Sequence, residues 1–138
     1  MNFINSTKLL DLPKIHDSRG NLSIIESNIN IPFEIKRVYW IFDVPGGEIR
    51  GGHAYKESEE FIVALSGSFD IVIRIGDQFQ RINLSRSYYG IYIPKMTWRS
   101  LENFSTNSLA LILASTEYKE DDYIRDYVTY LNILESCG

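Results

Sequence analysis

Two histidines serve 138 residues, and one of them stands in a spaced set of side chains able to move protons. His53 and Tyr55 are two apart, so in a strand they project from one face. They follow Arg50-Gly51-Gly52, where glycines let the backbone bulge or pass close to a ligand. Glu60 and Gly67 come next; later Pro94-Lys95-Met96-Thr97-Trp98-Arg99 leads to Asn103. Histidine titrates nearest neutrality and suits a general base. A free tyrosine, with a pKa of about 10, is a poor base. Tyr55, bonded to His53 or to an arginine, could instead relay a proton or steady an oxyanion. Arg99 has two readings that can both hold: it clamps a phosphate or oxyanion, or it neutralises Glu60 inside the fold. His53 likewise could be no more than a hydrogen-bonded core histidine.

A second cation and phenol lie in the strand pattern Phe33–Val44, where Phe33, Ile35, Arg37, Tyr39 and Ile41 share one side. If that side faces the interior, Arg37 is a buried cation that requires an anionic partner; otherwise it pairs with a surface acid. Tyr39 and Glu60 stand next in line for proton chemistry. His16 precedes the turn Asp17-Ser18-Arg19-Gly20-Asn21 and reads as solvated.

These groups need a scaffold of short strands, and the sequence supplies one. Runs at Lys8–Leu12, Leu22–Glu26, Phe33–Val44, Glu60–Leu65, Ser68–Ile75, Phe79–Leu84, Gly90–Ile93, Thr97–Leu101 and Ser108–Ser115 are parted by turn residues. That pattern predicts an all-β sandwich or barrel. Phe69, Ile71, Ile73 and Ile75 alternate with polar positions, and Ser66-Gly67 reads as the hairpin turn before them. From about 119 to 134 the period lengthens: Tyr123, Ile124, Tyr127, Val128, Leu131 and Leu134 mark one face of an amphipathic helix. Glu120, Asp121 and Asp122 would sit at its start, where the helix dipole favours acids. One helix can cover a flank of the barrel or a neighbouring subunit.

The length predicts a single domain over 1–138. A net charge of −4 offers no general attraction to nucleic acid or to an anionic membrane, so an anionic small molecule would need a local arginine cluster. Cys137 is the only cysteine, and no apolar stretch is long enough for a bilayer. The N-terminus shows no secretion signal, which points to the cytoplasm and makes the sequons at Asn5, Asn21, Asn83 and Asn103 chance matches.

The spacing His53, Tyr55, Glu60, Gly67 and then Pro94, Arg99, Asn103 resembles the two segments of a cupin, a jelly-roll or double-stranded β-helix barrel. Cupins commonly hold a metal with histidines at the positions of Tyr55 and Arg99. A guanidinium has no lone pair to give a cation. The expectation is a barrel with a pocket, no metal and no cofactor.

A narrower resemblance covers nearly the whole chain. Asp17-Ser18-Arg19-Gly20, Ile31 through Tyr39, Arg50-Gly51-Gly52-His53-Ala54, Leu65-Ser66-Gly67-Ser68, Leu113-Ala114-Ser115 and Asp122 through Tyr127 together are similar to the dTDP-4-keto-6-deoxyglucose 3,4-ketoisomerases. The resemblance implies a homodimer with strand exchange, for which the N-terminal region 1–21 is the candidate. It also implies a dTDP-linked 4-keto-6-deoxy sugar in each barrel and a 3-keto product destined for amination at C-3 in surface glycans. Taken with the residue chemistry above, the expected catalytic set is His53, Tyr55 and Tyr39, with Arg19, Arg37, Arg50, Glu60 and Arg99 holding substrate. The family usually has a second histidine where this chain has Tyr55. A related sugar-nucleotide epimerase and a non-catalytic sugar-binding cupin are the competing readings.

Overall fold

The computed structural model describes residues 6–137, so Asn5 and the first residues of the 1–21 segment lie outside it. Twelve strands and one helix follow in chain order: β1 Lys8–Asp11, β2 Lys14–Ile15, β3 Leu22–Ser23, β4 Arg37–Phe42, β5 Arg50–Tyr55, β6 Glu60–Ser66, β7 Phe69–Ile75, β8 Gln78–Leu84, β9 Tyr89–Ile93, β10 Trp98–Glu102, β11 Leu109–Ala114, β12 Tyr123–Ile124 and α1 Tyr127–Cys137. One five-stranded sheet runs β1-β9-β6-β11-β4 and a second runs β12-β5-β10-β7-β8, every pairing antiparallel. From β4 onward the chain crosses from one sheet to the other at nearly every connection, which is the winding of the cupin jelly roll. β1 pairs with β9 of its own chain.

Side-chain alternation builds the interior. Ile41, Ile62, Ala64, Phe69, Ile71, Ile73, Ile91, Ile93, Leu101, Ala110 and Ile112 point between the sheets and form the main core. Gly67 makes the β6–β7 turn with φ +66°, and a Cβ there would fall 2.7 Å from the Ser108 Cα. The turn therefore needs glycine.

The first sheet is buried on its outer face too. Phe61, Val63 and Leu113, one residue out of phase with the inward set, pack against Leu12, Ile31 and Phe33. This corrects the expected long strand. Phe33 and Ile35 belong to that outer layer, whereas Tyr39 and Ile41 face the barrel, so the five odd positions do not share one side. The reason is local: β4 starts only at Arg37, and the preceding segment folds across the sheet with Ile35 N–H held by the Ser27 hydroxyl at 2.9 Å.

The tail departs from expectation as well. The helix starts at Tyr127, not near 119. Asp126 caps it, its carboxylate accepting from Thr129 N–H at 2.9 Å and from the Thr129 hydroxyl at 2.7 Å. Glu120–Asp122 form a single 3₁₀ turn, and Asp122 accepts from Glu57 N–H at 2.7 Å. Tyr123 and Ile124 then pair with Tyr55 and Ala54 as the edge strand β12. Helix α1 covers the outer flank of the second sheet, where Tyr130 packs with Ala54 and Ile124. No helix among the described residues is long and apolar enough to cross a membrane.

Candidate active site

The two sheets part at one side of the barrel, where the β4 edge faces β5, β10 and β12. A cavity of about 350 Å³ opens there, lined by Tyr39, Arg50, His53, Tyr55, Arg99, Tyr123 and Arg125 among others. That size lies in the range of small-molecule sites. A larger cavity of about 650 Å³ lies elsewhere, on the outer face of the first sheet, with mostly aliphatic walls.

At the floor is a buried ion pair. Arg99 and His53 are direct cross-strand partners on β10 and β5, so both project inward. Arg99 is 2% exposed and Glu60 1%. The guanidinium gives Glu60 Oε1 two hydrogen bonds, from Nε at 3.0 Å and Nη2 at 2.6 Å. Its Nη2 also donates to the Tyr39 hydroxyl at 3.1 Å and its Nη1 to the Gly51 carbonyl at 3.0 Å. An arginine has five N–H donors, and these contacts use all but one. Of the two roles open to Arg99, the geometry favours neutralising Glu60 over clamping a phosphate.

Gly51 is required by this packing. Its φ is +69°, and a Cβ there would lie 2.2 Å from Arg99 Nη1.

The phenols form a chain that ends on the ion pair. Tyr39 donates to Glu60 Oε2 at 2.5 Å, and the Tyr55 hydroxyl lies 3.4 Å from that of Tyr39. Because the Tyr39 proton is committed to Glu60, Tyr55 is the donor of the pair. Burial and then the Glu60 carboxylate push both phenols well above their usual range, with Arg99 opposing. Neither is a base at neutral pH; each is a proton donor.

His53 is placed differently. Its ring meets Tyr55 edge-on at 4.8 Å and Tyr123 at 5.0 Å. Nε2 is buried without a hydrogen-bond partner. The Tyr55 hydroxyl addresses Tyr39 rather than His53, so only its ring supports the histidine. Burial, then the positive charges of Arg99, Arg125 and Arg37, push the imidazole pKa down to about 2. The site thus presents a neutral imidazole with a lone pair available on one nitrogen.

Arg37 sits behind the tyrosines, within 6 Å of the rings of Tyr39, Tyr55 and Tyr118, and its Nε and Nη2 are buried without partners. Arg50 stands exposed on the cavity rim. Arg19 is not part of this cavity. It is 89% exposed and pairs with Asp17 in its own turn at 2.9 Å, because a short i to i+2 contact satisfies it locally. His16 is exposed too, with Nδ1 2.8 Å from Asn21 Oδ1. Sequence reading missed Tyr123 and Arg125, since a helical period was assigned where β12 turns Tyr123 into the cavity. Among the described residues no group of three or more His, Cys, Asp or Glu side chains is placed to hold a metal ion.

Comparison with known proteins agrees with this picture. The profile of the FdtA (WxcM-like, C-terminal) family matches residues 5–135. A TDP-4-oxo-6-deoxy-α-D-glucose-3,4-oxoisomerase of Aneurinibacillus thermoaerophilus is 45% identical over 120 residues, covering 87% of this chain and 86% of its own. QdtA, a sugar 3,4-ketoisomerase of Thermoanaerobacterium thermosaccharolyticum solved with TDP, superposes with a TM-score of 0.92 at 37% identity, over 95% of this chain and 96% of that one. The TDP-quinovose 3,4-ketoisomerase WlaRB of Campylobacter jejuni gives 0.87 at 43% identity, over 92% and 98%. With the cavity, the histidine and the barrel already in place, these matches show that the chain belongs to the FdtA (WxcM-like, C-terminal) family of sugar-nucleotide 3,4-ketoisomerases.

Proposed function

We propose that this enzyme converts TDP-4-keto-6-deoxyglucose to the 3-keto isomer, with His53 carrying the carbon-bound proton and Tyr39 serving the oxygens. The observation that carries the reading is His53 Nε2, buried and unpartnered on the wall of a cavity rich in phenols and arginines. In the forward step Nε2 takes the C-3 proton, and the C–H electron pair becomes a C-3–C-4 double bond while the C-4 carbonyl oxygen gains negative charge. Tyr39 turns its proton from Glu60 to that oxygen, while Arg99 still donates to the phenol oxygen. The intermediate collapses when the imidazolium returns the proton to C-4, the double-bond electrons form that new C–H bond, and the C-3 hydroxyl passes its proton to Tyr39, which has given its own to the C-4 oxygen, leaving a C-3 ketone and a C-4 hydroxyl. Atoms balance without oxidant or cofactor.

The same reading holds that the reaction runs without metal, because Arg99 and Tyr55 occupy positions where donors would be needed. Activity abolished by a chelator and restored by a divalent ion would overturn that part. The 3-keto product suits amination at C-3, the step toward 3-amino-3,6-dideoxy sugars of surface glycans.

Two copies assemble through the outer face of the first sheet. Trp40 and Phe42 are each 57% exposed on it, and Val38 and Leu65 flank the 650 Å³ groove. Contiguous apolar surface of this kind marks an interface. Light scattering should give twice the 16.0 kDa chain mass, falling to the single chain in Val38→Glu/Leu65→Glu; a wild-type monomer at micromolar concentration would sink the dimer.

The decisive test of the reaction is incubation with TDP-4-keto-6-deoxyglucose in D₂O, followed by NMR. Carbonyl migration from C-4 to C-3 is expected. Inversion at a carbon with the ketone unmoved would mark an epimerase, and an unchanged spectrum a binding protein.

A further inference from the structure

No hydrogen bond to either ring nitrogen of His53 is found among the described residues, and Nε2 is buried. A working imidazole is ordinarily oriented by a hydrogen bond to its second nitrogen, so here something else must fix the ring. What meets it is aromatic. The Tyr55 ring lies 4.8 Å away at 78°, and the Tyr123 ring 5.0 Å away at 60°. The two tyrosines also meet each other, with centroids 4.8 Å apart. The contact with Tyr55 follows from their i to i+2 spacing on β5, whereas the contact with Tyr123 crosses to another strand. Tyr123 pairs directly with Tyr55, which puts it diagonal to His53, a spacing that aromatic side chains can span. Tyr123 is itself confined. Strand pairing sets its backbone, the Tyr118 ring lies 5.8 Å from its own, and the Arg125 guanidinium lies 4.1 Å from its centroid.

We propose that Tyr123 is a positioning residue for His53: its ring, with that of Tyr55, holds the imidazole in the orientation that presents Nε2 to the C-3 proton. This rests on the ketoisomerase reading above. The contact is between rings, where the edge of one meets the face of another, so the Tyr123 hydroxyl is dispensable to it. Without the Tyr123 ring the imidazole gains freedom about its side-chain torsions, and it spends less time aligned with bound substrate. Proton transfer requires that alignment, so the loss falls on kcat rather than on affinity.

Histidine NMR of the untagged full chain tests the clamp without turnover. Only His16 and His53 give imidazole signals, and His16→Asn assigns them. In wild type the His53 Cε1–H signal should be displaced by ring currents and show nuclear Overhauser contacts to the Tyr123 ring. Tyr123→Phe should keep that displacement and Tyr123→Leu should lose it. A wild-type His53 signal without contacts to Tyr123 would sink the proposal whatever the variants do. Kinetics with TDP-4-keto-6-deoxyglucose give the second readout. Tyr123→Leu should lower kcat by about 10- to 100-fold with KM changed far less, and Tyr123→Phe should retain most of the wild-type rate. Equal losses in the two variants would assign the role to the hydroxyl, and a rise in KM alone would make Tyr123 a substrate contact; either result overturns the proposal. Should Tyr123→Leu fail to fold, the wild-type contacts and the Tyr123→Phe rate still decide. A wild type that leaves the carbonyl in place removes the ketoisomerase reading, and the imidazole spectrum then judges the clamp by itself.

Discussion

Arg99 and Glu60 form a two-bond ion pair inside the barrel, 2.6 Å at its shorter contact, with both side chains withdrawn from water. The Tyr39 hydroxyl bridges them, accepting from Arg99 and donating to Glu60. The floor of the site is therefore charged but locally neutral, and it holds one phenol rigidly.

That arrangement predicts strong coupling. Arg99→Met strands a buried carboxylate, and breaking such a pair costs about 3–5 kcal/mol. Arg99→Met/Glu60→Gln should recover part of the loss, with an interaction energy on the order of 1–3 kcal/mol. Urea unfolding of the single and double variants measures it. Additive losses would mean that the two groups are not partners in solution.

Acid sensitivity should trace partly to His53. Its folded pKa of about 2 lies below the ordinary 6.5, so between these values the unfolded chain binds more protons than the native one. Stability then falls as pH drops through that window and is unaffected above it. Thermal unfolding from pH 7 to 4 should show a shallower decline for His53→Asn than for wild type. An equal decline would show that the imidazole does not stay neutral in the fold.

Rates should divide by proton type. His53→Asn should lose about 10²- to 10⁴-fold and stop deuterium entering at C-3. Tyr39→Phe should slow carbonyl migration, by about 10²-fold, yet still permit C-3 exchange. Tyr55→Phe should cost less than either, since its ring supports His53 and its hydroxyl only backs Tyr39. NMR in D₂O at saturating substrate separates these outcomes; an inactive Tyr55→Phe beside a merely slowed His53→Asn would reverse the roles.

Gly51→Ala should impair the site more than a generic glycine change. It adds a methyl 2.2 Å from Arg99 Nη1 on a backbone at φ +69°, for an expected loss of about 1–3 kcal/mol from overpacking beyond the backbone strain. Gly76→Ala is the control, with φ +58° and nothing within 4 Å of the added carbon. Equal melting temperatures for the two variants would show that Arg99 moves freely.

The barrel interior was legible because alternation is a strong signal: Phe69, Ile71 and Ile73 face inward as their spacing requires. His53, Tyr55, Glu60 and Arg99 were singled out by type and spacing, and the fold gathers them. Two features were hidden. Phe33 and Ile35 share parity with Tyr39, but nothing local marks the change of layer before Arg37. Tyr123 and Ile124 match a helical stripe as well as they match a strand, and only pairing with Tyr55 and Ala54, remote in sequence, decides between them. Arg19 stands outside the cavity for a different reason: its type suits phosphate, and in this chain Asp17 lies close enough to pair with it.

The Arg99–Glu60 pair also constrains how this barrel can evolve. Replacing Arg99 by a histidine, one step toward a metal-binding floor, would leave Glu60 without its two-bond partner and Gly51 and Tyr39 without a donor. Replacing Glu60 alone would leave a guanidinium buried with no counter-charge. Each single step passes through a protein destabilised by a sizeable fraction of the ordinary 5–15 kcal/mol margin. The two positions are therefore coupled, and change is easier at the rim, where Arg50, Glu120 and Arg125 can be replaced one at a time.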